Sequence, residues 1–139
     1  MLTVTVALCL AGFLVTSCES TTADRKNLMA MVNQARTASG LAPLSDNLWL
    51  DLKADIWARH LRDVCSLSHT DLSARVAKQA ENVGLGSAIA TVHAAYMESA
   101  EHRSNILDPK FSQLGVAAVW GSCSDGTRRV FTVEEFTSG

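Results

Sequence analysis

The chain has 139 residues, with 12 Lys plus Arg against 14 Asp plus Glu and a formal net charge of −2. That length holds one domain with a self-sufficient core and leaves no room for a second. With no basic block and 6% aromatic residues, the chain lacks the electrostatic footprint of a nucleic-acid binder, and that class of partner is excluded.

The first segment differs from the rest. Leu2 to Val15 carries no charge and is rich in Leu, Val and Ala, and Thr16-Ser17-Cys18 then supplies small residues. A membrane-spanning helix needs about 20 apolar residues, so the run reads as the core of a secretory signal. Val15-Thr16-Ser17-Cys18 is similar to the lipobox of bacterial lipoprotein signals, in which the cysteine becomes the acylated first residue of the mature protein. An ordinary cleaved signal is the alternative; no Lys or Arg precedes the apolar run. The expected division is a signal over 1–18, a polar spacer over 19–23 and a domain over 24–139. Either reading places the domain outside the cytoplasm, as a periplasmic, membrane-anchored or secreted protein, with membrane contact only through an N-terminal lipid.

Cysteine usage fits an oxidising compartment. Cys9 and Cys18 fall in the signal, leaving Cys65 and Cys123 as an even pair, most simply a disulfide. Two buried free thiols are the alternative.

In chain order, Leu28, Met31, Val32 and Ala35 recur at helical spacing and predict a helix over Asp24 to Ala38, stopped at Ser39-Gly40. Pro43 disfavours helix in the residue before it, so Leu41 to Leu44 is a connector. Ser45-Asp46-Asn47 offers caps for a second helix, in which Leu50, Ala54, Trp57 and Leu61 form one stripe and Leu48, Leu52 and Ile56 widen it into the face of a core helix. Trp49, Trp57 and Trp120 are expected in the core. Cys65 to Thr70 reads as a loop presenting His69, followed by a short helix over Asp71 to Lys78. Gln79 to Gly84 reads as extended, with Gly84 and Gly86 marking a close backbone approach or a bulge. Ser87 is the expected cap of a third helix over Ala88 to about Ser99, followed by a turn over Arg103 to Leu107 that ends at Asp108-Pro109. Alternation over Leu114 to Trp120 and a β-rich run over Arg128 to Phe136 predict two antiparallel strands joined by a loop over Gly121 to Gly126. Helices first and strands last give an α+β domain.

Five stretches now stand in order: Met31-Val32-Asn33-Gln34-Ala35-Arg36 with Gly40-Leu41-Ala42-Pro43-Leu44, then Ser68-His69, then Glu81-Asn82-Val83, then Met97 to Leu107, then Leu114-Gly115-Val116. Together they resemble the bacterial branch of the CAP superfamily (SCP-like), which groups the cysteine-rich secretory proteins, antigen 5 and the plant pathogenesis-related 1 proteins. The resemblance implies an α-β-α sandwich, with a small antiparallel sheet between helices, and a large central cavity. In the family pattern two histidines and two glutamates line that cavity, and the histidines can hold a divalent metal. Position by position, His69 and His102 match the histidines and Glu81 the first glutamate. Ser99 stands at the second, as is common in the bacterial branch. Glu101 and Ala80 replace glycines before the second histidine and the first glutamate.

The chemistry allows three readings. The first is a binding protein of the cell envelope that takes a lipid-like molecule, a cell-wall component or a protein partner in or near a pocket of His69, Glu81, Ser99 and His102; it requires no cofactor. The second is a hydrolase, with Glu81 as general base and a zinc ion on His69 and His102 activating water. A catalytic zinc uses three protein ligands plus a water, so two histidines alone make a weak site. Ser99 as nucleophile with His102 would need the two as neighbours on one continuous helix. The third is a structural surface module in which His69, Glu81 and His102 form a buried hydrogen-bonded cluster.

Overall fold

The protein is described by a computed structural model over residues 22–71 and 78–139; the signal, Cys18 and most of the helix expected over Asp71 to Lys78 lie outside these. In chain order the elements are α1 (Thr22–Ala38), β1 (Ser45–Asp46), α2 (Leu48–Val64), β2 (Gln79–Gly86), α3 (Ile89–Glu98), α4 (Ala100–Ile106), β3 (Gln113–Ser122) and β4 (Arg128–Thr137).

The strands form one sheet in the order β1-β3-β4-β2. β3 pairs antiparallel with β4, and β4 with β2, in a register that sets Glu81 opposite Glu135 and Asn82 opposite Glu134. β1 runs parallel to β3 over Ser45–Asp46, which makes the sheet mixed where an antiparallel one was expected. Because β4 lies inside the sheet, its alternate residues enter two different cores. Leu28, Val32, Ile89, Val92, Tyr96 and Ile106 of α1, α3 and α4 pack with Leu114, Val116, Val130 and Phe136. Ala54, Ala58 and Leu61 of α2 pack with Val83, Ala117, Val119, Phe131 and Val133 on the other face. The result is the expected α-β-α sandwich.

Several local expectations are met by specific bonds. Gly40 stops α1 with φ +75°, and the amide of Leu41 donates to the Arg36 carbonyl at 2.9 Å. Asn47 is the cap of α2: its side-chain oxygen accepts from the amides of Trp49 (3.0 Å) and Leu50 (3.2 Å). Cys65 and Cys123 are joined in a disulfide, with Cα atoms 5.7 Å apart.

Others are corrected. Ala88, not Ser87, stands at the cap position of α3 and makes no side-chain cap bond. Ser99 adopts extended geometry (φ −88°, ψ 124°) and separates α3 from α4, so the turn expected at Arg103 to Leu107 is the second half of a helix. β2 continues unbroken through both glycines, with no bulge, whereas the expected close approach is met: a Cβ on Gly84 would sit 2.7 Å from the Tyr96 hydroxyl. The widest correction concerns α2: Leu48, Trp49, Leu52 and Ile56 are 80%, 78%, 50% and 61% exposed, so the second half of its apolar face is outside the core.

Candidate functional site

The expected residues meet at the free edge of the sheet, along β2. His69, Glu81, Glu101, His102, Ser104 and Asn105 line a hollow of about 230 Å³, in place of the large central cavity implied by the resemblance. Ser99 is not among the lining residues; it caps the break between α3 and α4. The continuous helix that a Ser99–His102 pair needs is therefore absent at this point.

Each wall is fixed by a different layer. His69 lies in the loop after α2, held at one end by the Cys65 disulfide and at the other by the Trp57 indole, which donates to the Ser68 carbonyl at 2.8 Å. His102 lies on α4, its ring 4.9 Å from that of Tyr96. Asn82 ties α4 to the sheet: its amide donates to the His102 carbonyl at 3.2 Å and to Glu134 at 2.9 Å, and its oxygen accepts from Asn105 at 2.9 Å. Arg36, 2% exposed, holds the segment after α4 by donating to the carbonyls of Ile106 (2.8 Å) and Asp108 (2.9 Å).

Glu81 is buried and heavily engaged. One carboxylate oxygen accepts from the Thr70 amide at 2.9 Å and lies 2.8 Å from His69 Nδ1; the other accepts from the Thr70 hydroxyl at 2.7 Å. Burial raises its pKa, but bonds from Thr70, Glu135 and His69 together bring it below the ordinary value. Glu81 is thus a carboxylate, and a weak base. His102 is kept neutral at higher acidity than usual, first by burial and then by its neighbour His69. His69 itself is just over half exposed, so one ring face is open to a ligand.

Behind Glu81 the polar groups continue through the sheet. Glu135 bonds Glu81 and pairs with Lys53 of α2 at 2.6 Å; burial pushes its carboxyl up to about 7. Lys53 and Thr70 also line an apolar groove of about 320 Å³ on α2, together with Trp49, Leu52, Ile56 and Trp57. Thr70 thus lines the apolar groove and, through its amide and hydroxyl, bonds Glu81 in the wall of the polar hollow. Sequence reasoning gave Thr70 only as the end of the loop that presents His69 and missed Lys53, Glu134 and Glu135. The one available signal was the position of Thr70 directly after His69.

A zinc site of three protein ligands is not assembled here. Both oxygens of Glu81 and Nδ1 of His69 are engaged with one another or with Thr70, and among the described residues no group of three His, Cys, Asp or Glu could hold a metal ion. The donor set reduces to two imidazoles.

Comparison with known proteins agrees with the geometry. A family model described as the cysteine-rich secretory protein family, CAP, matches residues 29–136. No curated protein matches the chain. Among solved structures, an outer surface protein from Borrelia burgdorferi is similar with a TM-score of 0.70 and 19% identity, over 84% of this chain and 93% of that one. An extracellular protein containing an SCP domain, from Bacillus anthracis, is similar with a TM-score of 0.69 and 18% identity, over 84% of this chain but 41% of that one. Venom allergen-like protein 4 of Schistosoma mansoni is similar with a TM-score of 0.65 and 10% identity, over 84% of this chain and 89% of that one. At such identities the structures speak for the fold, and the family model, spanning most of the chain, for descent: the chain belongs to the CAP family of cysteine-rich secretory proteins.

Proposed function

We propose that this is an exported CAP domain of the cell envelope that binds an amphipathic, lipid-like molecule, with the polar head at His69 and His102 and the apolar part along α2. The observation that carries the reading is Thr70, which lines the apolar groove and bonds both carboxylate oxygens of Glu81 in the wall of the polar hollow. Size supports the division of labour. Ligand pockets usually enclose about 300–1,000 Å³, so a hollow of about 230 Å³ suits a head group, whereas an acyl chain needs the groove as well. The exposed ring of His69 offers a hydrogen bond to such a head, and Glu81 fixes its tautomer from behind. An exported location is supported by the apolar leader and by relatives described as outer surface or extracellular proteins.

A hydrolase is less well supported. Glu81, its best base, has its pKa lowered and its lone pairs occupied, where general-base catalysis favours a pKa near the working pH.

The test is titration of the protein with lysophosphatidylglycerol below its micellar concentration, following the histidine ring protons by NMR and tryptophan emission. Saturable, simultaneous change at His69 and His102 is expected, weakened about tenfold in His69→Ala while the melting temperature stays within a few degrees, since one lost ligand hydrogen bond is worth about 1 kcal/mol. Silent histidine resonances across the titration would overturn it.

A further inference from the structure

We propose that the outward face of α2, formed by Leu48, Trp49, Leu52 and Ile56, rests on the surface of a lipid bilayer and orients the domain there. These residues follow one another along one stripe of the helix and are each half or more exposed. Single exposed apolar residues need no explanation, but four together, one of them a tryptophan, form a patch that a soluble protein does not leave in water without use. The charges of α2 do not interrupt it. Asp51 turns inward to accept from the Val116 amide at 2.9 Å, Lys53 pairs with Glu135 at 2.6 Å, and Asp55 pairs with Arg59 at 2.7 Å. The opposite side of the helix is anchored to the sheet through Ala54, Ala58 and Leu61, so the stripe of leucine, isoleucine and tryptophan is held outward as a fixed apolar surface.

The chain before α1 selects a membrane over other occupants. Thr22, the first residue of α1, lines a depression together with Leu48 and Leu52, and Arg25 of the next turn pairs with Asp46 at 3.2 Å and with Asp51. The start of α1 and the start of α2 thus lie side by side. Cys18 stands four positions before Thr22, and four residues of extended chain reach at most about 14 Å. A lipid carried on Cys18 holds Thr22, which lies beside Leu48 and Leu52 of the α2 face, within that distance of the anchor. Acylation by itself gives a tether, and stable seating takes a second contact, which the stripe supplies. The inference rests on the reading of an exported, Cys18-anchored domain. It deepens that reading by naming the bilayer as the source from which a lipid enters the α2 groove.

The experiment uses the protein as exported, purified from membranes and reconstituted in vesicles of phosphatidylethanolamine and phosphatidylglycerol, some carrying brominated acyl chains. Trp49 emission is expected to be blue-shifted and quenched by the brominated lipid, and the quenching should vanish in Trp49→Ser. Leu52→Glu with Ile56→Glu, both at exposed positions, should leave the fold and the anchor intact and reduce quenching about tenfold, because two buried aliphatic side chains are worth at least that in partitioning. An anchored protein whose Trp49 stays water-exposed would overturn the proposal while leaving the anchor standing. If the exported protein is instead recovered without a lipid, sedimentation with the same vesicles decides: binding sensitive to Leu52→Glu supports the face, and no such binding overturns it. A dimer in light scattering, with Trp49 shielded in the absence of lipid, assigns the face to a second copy and also overturns it. Histidine resonances followed with lysophosphatidylglycerol in the absence of vesicles report the ligand reading alone, and Trp49 quenching retained in His69→Ala reports the bilayer contact, so the two can fail independently.

Discussion

Glu134 shows how much a single buried group can set. Its side chain is fully buried, one oxygen accepts from Asn82, and the other has no hydrogen-bond partner among the described residues. Burial raises its pKa to about 8 from the ordinary 4.5. Between those values the folded state holds a proton that the unfolded chain releases, so this group's contribution is greatest below about pH 4.5 and is lost as pH rises to about 8. Glu81, with a lowered pKa, acts with the opposite sign: its contribution is present above the ordinary carboxylate value and is lost on further acidification. Glu134→Gln keeps an acceptor for Asn82 and removes the titration. Thermal unfolding of the variant should match the parent near pH 5 and exceed it by about 4 kcal/mol near pH 8.5. Equal pH dependence of the two proteins would show that Glu134 is not the group responsible. Nothing in the order of residues announces this role. The sequence puts both glutamates in the β-rich run over Arg128 to Phe136, and only the central place of β4 turns one toward Tyr96 and the other toward Lys53.

Among elements, the contact of α2 with β3 is the closest that a glycine permits among the described residues. A Cβ on Gly115 would lie 2.2 Å from the backbone of Leu50, and no side-chain adjustment relieves a clash with backbone. The same approach lets Asp51 take the amide of Val116, just beyond the two residues that β1 covers. Gly115→Ala should therefore force α2 off the sheet and cost about 3 kcal/mol or more, read as a lower denaturant midpoint. A midpoint within error of the parent would contradict the packing. Helical spacing placed α1 and α2 almost to the residue, and alternation placed β3 and β4, because those patterns are repeated over several turns or pleats. Spacing could not say which half of a broad apolar stripe is buried: Ala54, Ala58 and Leu61 face the sheet, whereas Leu52 and Ile56 face outward. Nor could it see that the backbone leaves helical geometry at Ser99.

The whole molecule is stapled where its two halves meet. The Cys65–Cys123 disulfide spans 58 residues and joins the end of α2 to the β3–β4 connection, with Cys65 in left-handed geometry at φ 52°. In the chain-entropy account a loop of that length contributes about 4 kcal/mol. Reduction, or Cys123→Ser, should lower the melting temperature by more than 10 °C for a domain of this size. It should also broaden the His69 resonances, because the loop that presents His69 begins at Cys65. A reduced protein that melts like the oxidised one would make the bond a passenger.

The sequence by itself determined α1, α2 and α3, the closing hairpin, the cysteine pair and the three residues that meet at the candidate site, because periodicity, parity and the ordered stretches Ser68-His69, Glu81-Asn82 and His102-Arg103 are local properties. Tertiary structure alone decided that Ser99 stays outside the hollow, that Thr70 of the groove bonds Glu81 of the hollow, that Glu134 and Glu135 are buried on opposite faces, and that the stripe of Leu48, Trp49, Leu52 and Ile56 on α2 remains uncovered. Each of these depends on what lies across a layer from the residue, and that is fixed by strand order and helix packing rather than by neighbours along the chain.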